Sequence, residues 1–264
     1  MKRKHWMQLG LAASSMVLLT GCYQRYQRQS SPKKEVATSQ TSAKKQAYNK
    51  QLYQSVFSDY QKIFATSNDL DAISKLNSQL AKEDRMINSW VIETVINQPE
   101  AVRYAFKDLN SDGVDEMIIA NQQTDGSYFA TGVYYLKDQK PTLLAEGFVA
   151  GHGGARNATT LYKGGEVLEV SWLSGTGRGV AVLSRIEKTP QAATKVQEEE
   201  VQVPGSDLNA LFGKSDEDKL DLKSFDWQTF ESTPSGGDTQ SQGKTPWNAE
   251  KSAKLAEFMK TWGQ

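Results

Sequence analysis

Asp108, Asn110, Asp112 and Glu116 place side-chain oxygens at the first, third, fifth and ninth positions of one short stretch, with Gly113 at the sixth. Alternate residues of a tight loop point inward and a glycine permits its sharp reversal, which is the arrangement a hard, oxygen-seeking cation such as Ca2+ demands. The stretch departs from an EF-hand loop. Its twelfth position is Ile119 where a bidentate glutamate belongs, its eighth is Asp115 where an apolar residue is usual, and strand-like rather than helical runs flank it. Hairpins of the Asp-x-Asp-x-Asp-Gly-x-x-Asp type complete the shell from the ninth position, so flanking strands are compatible with a site. The same residues equally make an Asx-rich turn, with Asp108, Asn110 and Asp112 bonding backbone amides and Gly113 at positive φ. Both readings stay open in the sequence. Any ion held here is expected to stabilise the fold, since extracellular modules hold calcium at about 10⁻⁴ to 10⁻³ M.

The second group with a chemistry is Leu19-Thr20-Gly21-Cys22, at the end of a short apolar run that follows Lys2, Arg3 and Lys4. A basic start and an apolar run too short to span a bilayer core of about 30 Å mark a processed export signal. A leucine and two small residues before a cysteine are what a membrane-embedded peptidase needs to cut beside a lipidated thiol. Cys22 is the single cysteine of the chain. A lone cysteine cannot staple an exported fold and would be a free thiol in an oxidising place, whereas thioether lipidation consumes it. The expected partner is therefore the membrane, through a diacylglyceryl-type lipid on Cys22, and the expected location is the outer face of the cell membrane. Two acyl chains give stable anchoring, at about 0.8 kcal/mol per buried methylene.

Catalytic groupings are sparse. The chain has two histidines, and His5 lies in the signal, so a histidine mechanism rests on His152 within Gly151-His152-Gly153-Gly154. No Gly-x-Ser-x-Gly elbow and no zinc-type His-x-x-x-His accompanies it. Arg156 and Arg178 are the weak small-ligand candidates, on the expectation that they face a shared pocket. Gly175-Thr176-Gly177-Arg178-Gly179 looks like a phosphate loop, but it sits between strands with no helix behind it, so a hairpin turn is expected. Charge excludes one class of partner. Basic and acidic residues balance at 31 each and the signal carries basic residues only, so the mature chain is slightly acidic, which argues against nucleic acid.

The elements that must position these groups follow from periodicity. Residues 1–21 read as the signal and 22–45 as a polar, disordered tether that cannot bury enough surface to order itself. Residues 46–231 read as an α+β ectodomain, with an N-terminal helical layer packed on an antiparallel β-meander. Leu52, Tyr53, Val56, Phe57, Tyr60, Ile63 and Phe64 recur at helical spacing between Ala47 and Phe64. A second helix starts near Asn68 or Asp69, and a third run through Trp90, Val91, Ile92, Val95 and Ile96 stops at Pro99. Strand character begins at Val102 and recurs through about Glu187, with short turns that favour antiparallel pairing. Pro190 to Val203 reads as a loop, and Leu208 to Phe212 and Leu220 to Phe230 as short closing helices. Residues 232–245 read as a linker, and 246–264 as an amphipathic helix carrying Trp247, Leu255, Phe258, Met259 and Trp262.

Tyr104-Ala105-Phe106-Lys107-Asp108-Leu109-Asn110-Ser111-Asp112-Gly113-Val114-Asp115-Glu116-Met117-Ile118-Ile119 is similar to a motif of uncharacterised lipoproteins and secreted proteins of Gram-positive bacteria, in which it precedes a β-meander. Residues 247–264 resemble the opening helix of a domain of unknown function carried by lipoproteins of lactic-acid bacteria. The second resemblance implies that the chain ends where such a domain begins, as a truncated copy. Together they imply a Gram-positive surface lipoprotein with a non-catalytic binding or envelope role, and neither carries a reaction over to named residues. The alternative is a cell-envelope enzyme or enzyme accessory with a pocket near His152. A transporter's solute-binding component is disfavoured by the lack of two alternating βαβ lobes.

Overall fold

The computed structural model describes residues 33–83, 85–149, 154–188 and 192–230, with side chains from residue 43 onward. Cys22 and the signal, His152, the 232–245 linker and the 246–264 helix lie outside the described residues. The chain divides into two units, 1–41 and 42–264.

Helix α1 runs Lys33–Leu52 and begins inside the stretch expected to be tether. Its sequence is mostly polar and rich in Lys, Ala and Gln, with no apolar stripe, so the hydrophobic period that announces a helix is missing, while no proline or glycine interrupts it. Helix α2 (Gln54–Ala65) follows after Tyr53, so the single helix expected over 47–64 is two. The break costs little, because Tyr53 N–H still bonds Asn49 O at 3.0 Å and Phe57 N–H bonds Tyr53 O at 3.0 Å. Helix α3 (Leu70–Ala81) is capped by Asp69, whose carboxylate accepts the Ala72 N–H, and α4 (Ser89–Asn97) by Asn88, which accepts the Val91 N–H. Each cap satisfies an amide that the first helical turn leaves free. A turn at Pro99–Ala101 then leads into the first strand.

Among the described residues nine strands form two antiparallel sheets. The first has the order β4-β3-β2-β1-β9, from β1 (Val102–Lys107), β2 (Glu116–Gln122), β3 (Tyr128–Lys137), β4 (Lys140–Glu146) and β9 (Gln228–Thr229). The second has the order β5-β6-β7-β8, from β5 (Ala155–Tyr162), β6 (Glu166–Leu173), β7 (Arg178–Ile186) and β8 (Ala193–Gln202). Helices thus precede an antiparallel meander, an α+β fold as expected.

Two expected segments come out differently. Residues 193–202, expected as loop, form β8, and the segment expected as a closing helix near 220–230 is a short turn at Leu222–Ser224 followed by β9 on β1. β8 is an edge strand whose side chains are mostly exposed, so it shows no buried period. Its pairing with β7, with a register shift between Leu183 and Ser184, decides its conformation. Glu198, Glu199 and Glu200 charge that edge, which discourages pairing with another chain.

The layers follow from strand alternation. On one face of the first sheet Tyr104, Met117 and Ile119 meet Phe57, Tyr60, Ile63 and Ile92 of the helices. Phe230 closes this core, stacked on Tyr60 with ring centroids 5.0 Å apart and beside Tyr104 at 5.0 Å. Such ring pairs add about 0.5 to 1.5 kcal/mol beyond simple burial. On the other face Ala105, Ile118 and Val133 pack against Leu161, Val167 and Ile186 of the second sheet. Leu168, Val170 and Leu183, on the far side of the second sheet, are covered by Phe212 just after α5 (Leu208–Leu211).

Candidate functional site: the acidic junction

The residues expected to do chemistry form the connection between β1 and β2, which pair from Lys107↔Glu116 onward. This long hairpin connection is held by its own side chains. Asp108 accepts the Asp112 N–H on Oδ1 at 3.2 Å and the Gly113 N–H on Oδ2 at 3.0 Å. Asn110 Oδ1 also accepts the Asp112 N–H, at 3.1 Å, and Asp112 Oδ1 accepts the Val114 N–H at 2.8 Å. Gly113 has φ +90°, and a side chain there would meet no neighbouring atom, so backbone conformation rather than space demands glycine. Ser111 also sits at positive φ, +61°. The loop has the Asx-rich turn form that its residues allowed.

Three neighbours convert this turn into a junction between layers. Asn110 is 2% exposed and donates its amide to Asp112 Oδ2 at 3.1 Å and to Glu187 O at 3.2 Å, which ties the loop to the end of the second sheet. Gly165, in the β5–β6 turn, lies so close to Asn110 that a Cβ there would stand 2.7 Å from the Asn110 Cβ. On the helical side Asp115 accepts from Lys45 Nζ at 2.8 Å and Asn49 Nδ2 at 2.7 Å, while its backbone carbonyl accepts from the Tyr53 hydroxyl at 3.0 Å. Lys45, Asn49 and Tyr53 are spaced by four residues, one face of α1 and its end, so three polar contacts of that helix converge on one aspartate.

Glu116 lies beneath the loop with 0% of its surface exposed, and its Oε2 accepts the Leu109 N–H at 2.8 Å. Burial pushes its carboxyl up to about 8, and the negative charges of Asp112 and Asp108 push the same way. At neutral pH this group is chiefly the neutral acid. Among the described residues no three His, Cys, Asp or Glu side chains are grouped as a metal centre requires. Of the expected ligands, Asp108, Asn110 and Asp112 come together within the loop, bonded to its amides, and Glu116 lies beneath the loop as a buried acid bonded to the Leu109 N–H.

The expected Arg156 and Arg178 pocket does not form. Arg156 lies opposite Trp172, and Trp172 opposite Gly179, so Arg156 shares the face of Gly179. Arg178 is the preceding residue of the same strand and points to the other face, because successive strand residues alternate. The Gly175–Gly179 run is the expected hairpin turn, closed by Gly177 N–H on Leu173 O at 2.6 Å. Asp115 was legible only as a departure from a calcium loop. The signal that could have revealed its role is the Lys45, Asn49, Tyr53 spacing, since three donors on one helix face can share a single acceptor.

Among the described residues no helix is long and apolar enough to cross a membrane. No family model matches the chain, and neither the curated proteins nor the solved structures contain a match to it.

Proposed function

We propose that this chain is a lipid-anchored protein of the outer face of a Gram-positive cell membrane, with a non-catalytic binding or envelope role. The observation that carries the reading is Leu19-Thr20-Gly21-Cys22 with the chain's single cysteine in the acceptor position. It gains support from the use of the acidic loop, whose polar groups are spent on joining helices to two sheets. Cys22→Ala is expected to move the protein from the membrane fraction into the medium, or to leave it unprocessed with its signal attached. Fractionation with mass spectrometry of the mature N-terminus checks this, and membrane retention without a lipid on that terminus overturns the anchor.

A second reading concerns Asp108, Asn110, Asp112 and Glu116 as ligands of a structural Ca2+. What favours it is that Glu116, raised chiefly by burial, is raised further by the negative charges of Asp112 and Asp108, which a cation would offset. The bond pattern described above weighs against it. Thermal unfolding of the full chain in chelator and then in millimolar calcium separates the two. A rise of several degrees that disappears in Asp112→Ala establishes the ion, and identical melting in both buffers leaves the loop a turn.

A further inference from the structure

The two sheets meet over one end of the second. There Leu161, Val167, Ile186 and Ala193 pack toward the first sheet, and farther along the same face Glu169 accepts the Glu146 N–H at 3.0 Å. Past that point the face is open. Val182 lies opposite Glu169 and Val180 opposite Ser171, and alternation puts Leu173 on the same side, diagonal to Val180. Leu173 is 51% and Val180 39% exposed, with Val182 half-buried between Val180 and the covered end. One exposed apolar side chain is ordinary, but three on one face of paired strands form a strip that a partner can cover. The edge of the strip is acidic. On β8 Glu198 stands opposite Val182 and Glu200 opposite Val180. Lys195 holds Glu198 at 2.6 Å, whereas the Glu200 side chain makes no hydrogen bond or ion pair among the described residues. The strip thus offers an apolar floor with one uncompensated negative charge beside it.

The stretch 246–264, outside the described residues, carries the complement. Trp247, Leu255, Phe258, Met259 and Trp262 fall on one side of a helix, and Lys251, four residues after Trp247 and four before Leu255, is the charge within that side. A helix of this length is marginal in water by itself, so its apolar side needs a surface. Of the remaining charges Lys254 and Lys260 are offset by Glu250 and Glu257, a poor match to an anionic lipid surface, which favours a polar side rich in Lys and Arg.

The connection is long enough. Phe225 shares the core of Ile186 at the end of β7, and Val180 lies about 20 Å along that strand from Ile186. Residues 231–246 are polar and rich in Ser, Thr and Gly, and a coil of that length spans about 20 to 25 Å, or about 50 Å when extended. Such a linker presents its end at an effective concentration on the order of a millimolar, so a dock of that modest intrinsic affinity is already populated.

We propose that residues 247–262 dock as a helix on the open half of the second sheet, with their apolar side over Leu173, Val180 and Val182 and with Lys251 paired to Glu200. An intramolecular dock of this kind goes beyond the anchored, non-catalytic reading and does not depend on Cys22, so loss of either leaves the other standing.

The test is amide exchange, read by mass spectrometry, on the full chain in phosphatidylcholine vesicles. Amides of 250–262 are expected to exchange about tenfold slower in the natural chain than in Val180→Asp, and about threefold or more slower than in Lys251→Glu. Glu200→Lys combined with Lys251→Glu is expected to recover most of that protection, as the reversed pair restores the attraction. Unchanged exchange over α2 and β2 checks that each variant is folded. Free exchange over 250–262 in the natural chain overturns the dock, as does protection that Val180→Asp leaves unchanged. Protection that persists in Val180→Asp and grows when phosphatidylglycerol is added assigns the segment to lipid. Protection lost when the protein-to-lipid ratio is lowered about tenfold assigns it to a second copy, and either result overturns the proposal. Should Val180→Asp disturb β7, Lys251→Glu and its rescue by Glu200→Lys decide, since Glu200 is exposed on the edge strand.

Discussion

Glu116→Gln is expected to remove most of the pH dependence of stability between about pH 5 and 8. The carboxyl moves from an ordinary value of 4.5 to about 8 in the fold. Between those two values the folded chain keeps a proton that the unfolded chain has lost, so stability falls as pH rises, and the loss is complete above the folded value. At about 1.4 kcal/mol per unit the full shift corresponds to an upper limit on the order of 5 kcal/mol, and structural relaxation is expected to express about half of it. Glutamine keeps a carbonyl for the Leu109 N–H and carries no proton to lose. In chelator, urea unfolding should therefore find the variant within about 1 kcal/mol of the natural chain at pH 5 and more stable by roughly 2 to 3 kcal/mol at pH 8.5. A residual slope is expected from Glu146 and Asp59, whose carboxyls burial also raises. Equal slopes in the two proteins would mean that Glu116 is ionised in the fold, contrary to its placement beneath Asp108 and Asp112.

Asp115→Ala is expected to release the docked end of α1. Asn49 is 3% exposed and its amide depends on Asp115 Oδ2 at 2.7 Å, so the substitution leaves a buried donor without an acceptor. That costs about 1 to 3 kcal/mol. The Lys45 ion pair adds less, about 0 to 1 kcal/mol, because the lysine side chain is more than half exposed. The sum is a loss of roughly 1 to 4 kcal/mol in unfolding free energy. Amide exchange over residues 43–52 should quicken more than over α2, and trypsin should gain cuts at Lys44, Lys45 and Lys50. Asp115→Asn keeps an acceptor for Asn49 and drops only the charge, so it is expected to lose less than about 1 kcal/mol. If the alanine variant leaves both stability and exchange over 43–52 unchanged, Asp115 does not hold the helix.

The two variants probe opposite sides of one hairpin connection. Neighbours in sequence, Asp115 and Glu116 alternate in direction as the chain enters β2, and one reaches the helix while the other turns beneath the loop. This is why a stretch that reads as a ligand set becomes a joint: its acids are distributed between α1, the loop amides and the interior, and Asn110 carries the link to the second sheet.

Local sequence was enough to specify the elements whose buried faces repeat. Val56, Phe57, Tyr60 and Ile63 announced α2, Asp69 announced the start of α3, and the strands from Val102 to Ile186 were readable because one or both faces are apolar. The Asx turn was also written locally, since Asp108, Asn110 and Asp112 bond amides only two to five residues away. Tertiary structure decided what has no local period. α1 has no apolar stripe, β8 is an edge with charged side chains, and β9 exists only through its pairing with β1. It also decided the fate of the candidate residues. Register places Arg156 and Arg178 on opposite faces, and packing buries Glu116 to the point of neutrality. The pairing of β7 with β8 sets Val180 beside Glu200. Local composition fixes turns, caps and amphipathic faces because their partners lie within a few residues. Burial, charge state and shared faces depend on residues far along the chain, which only the assembled sheets bring together.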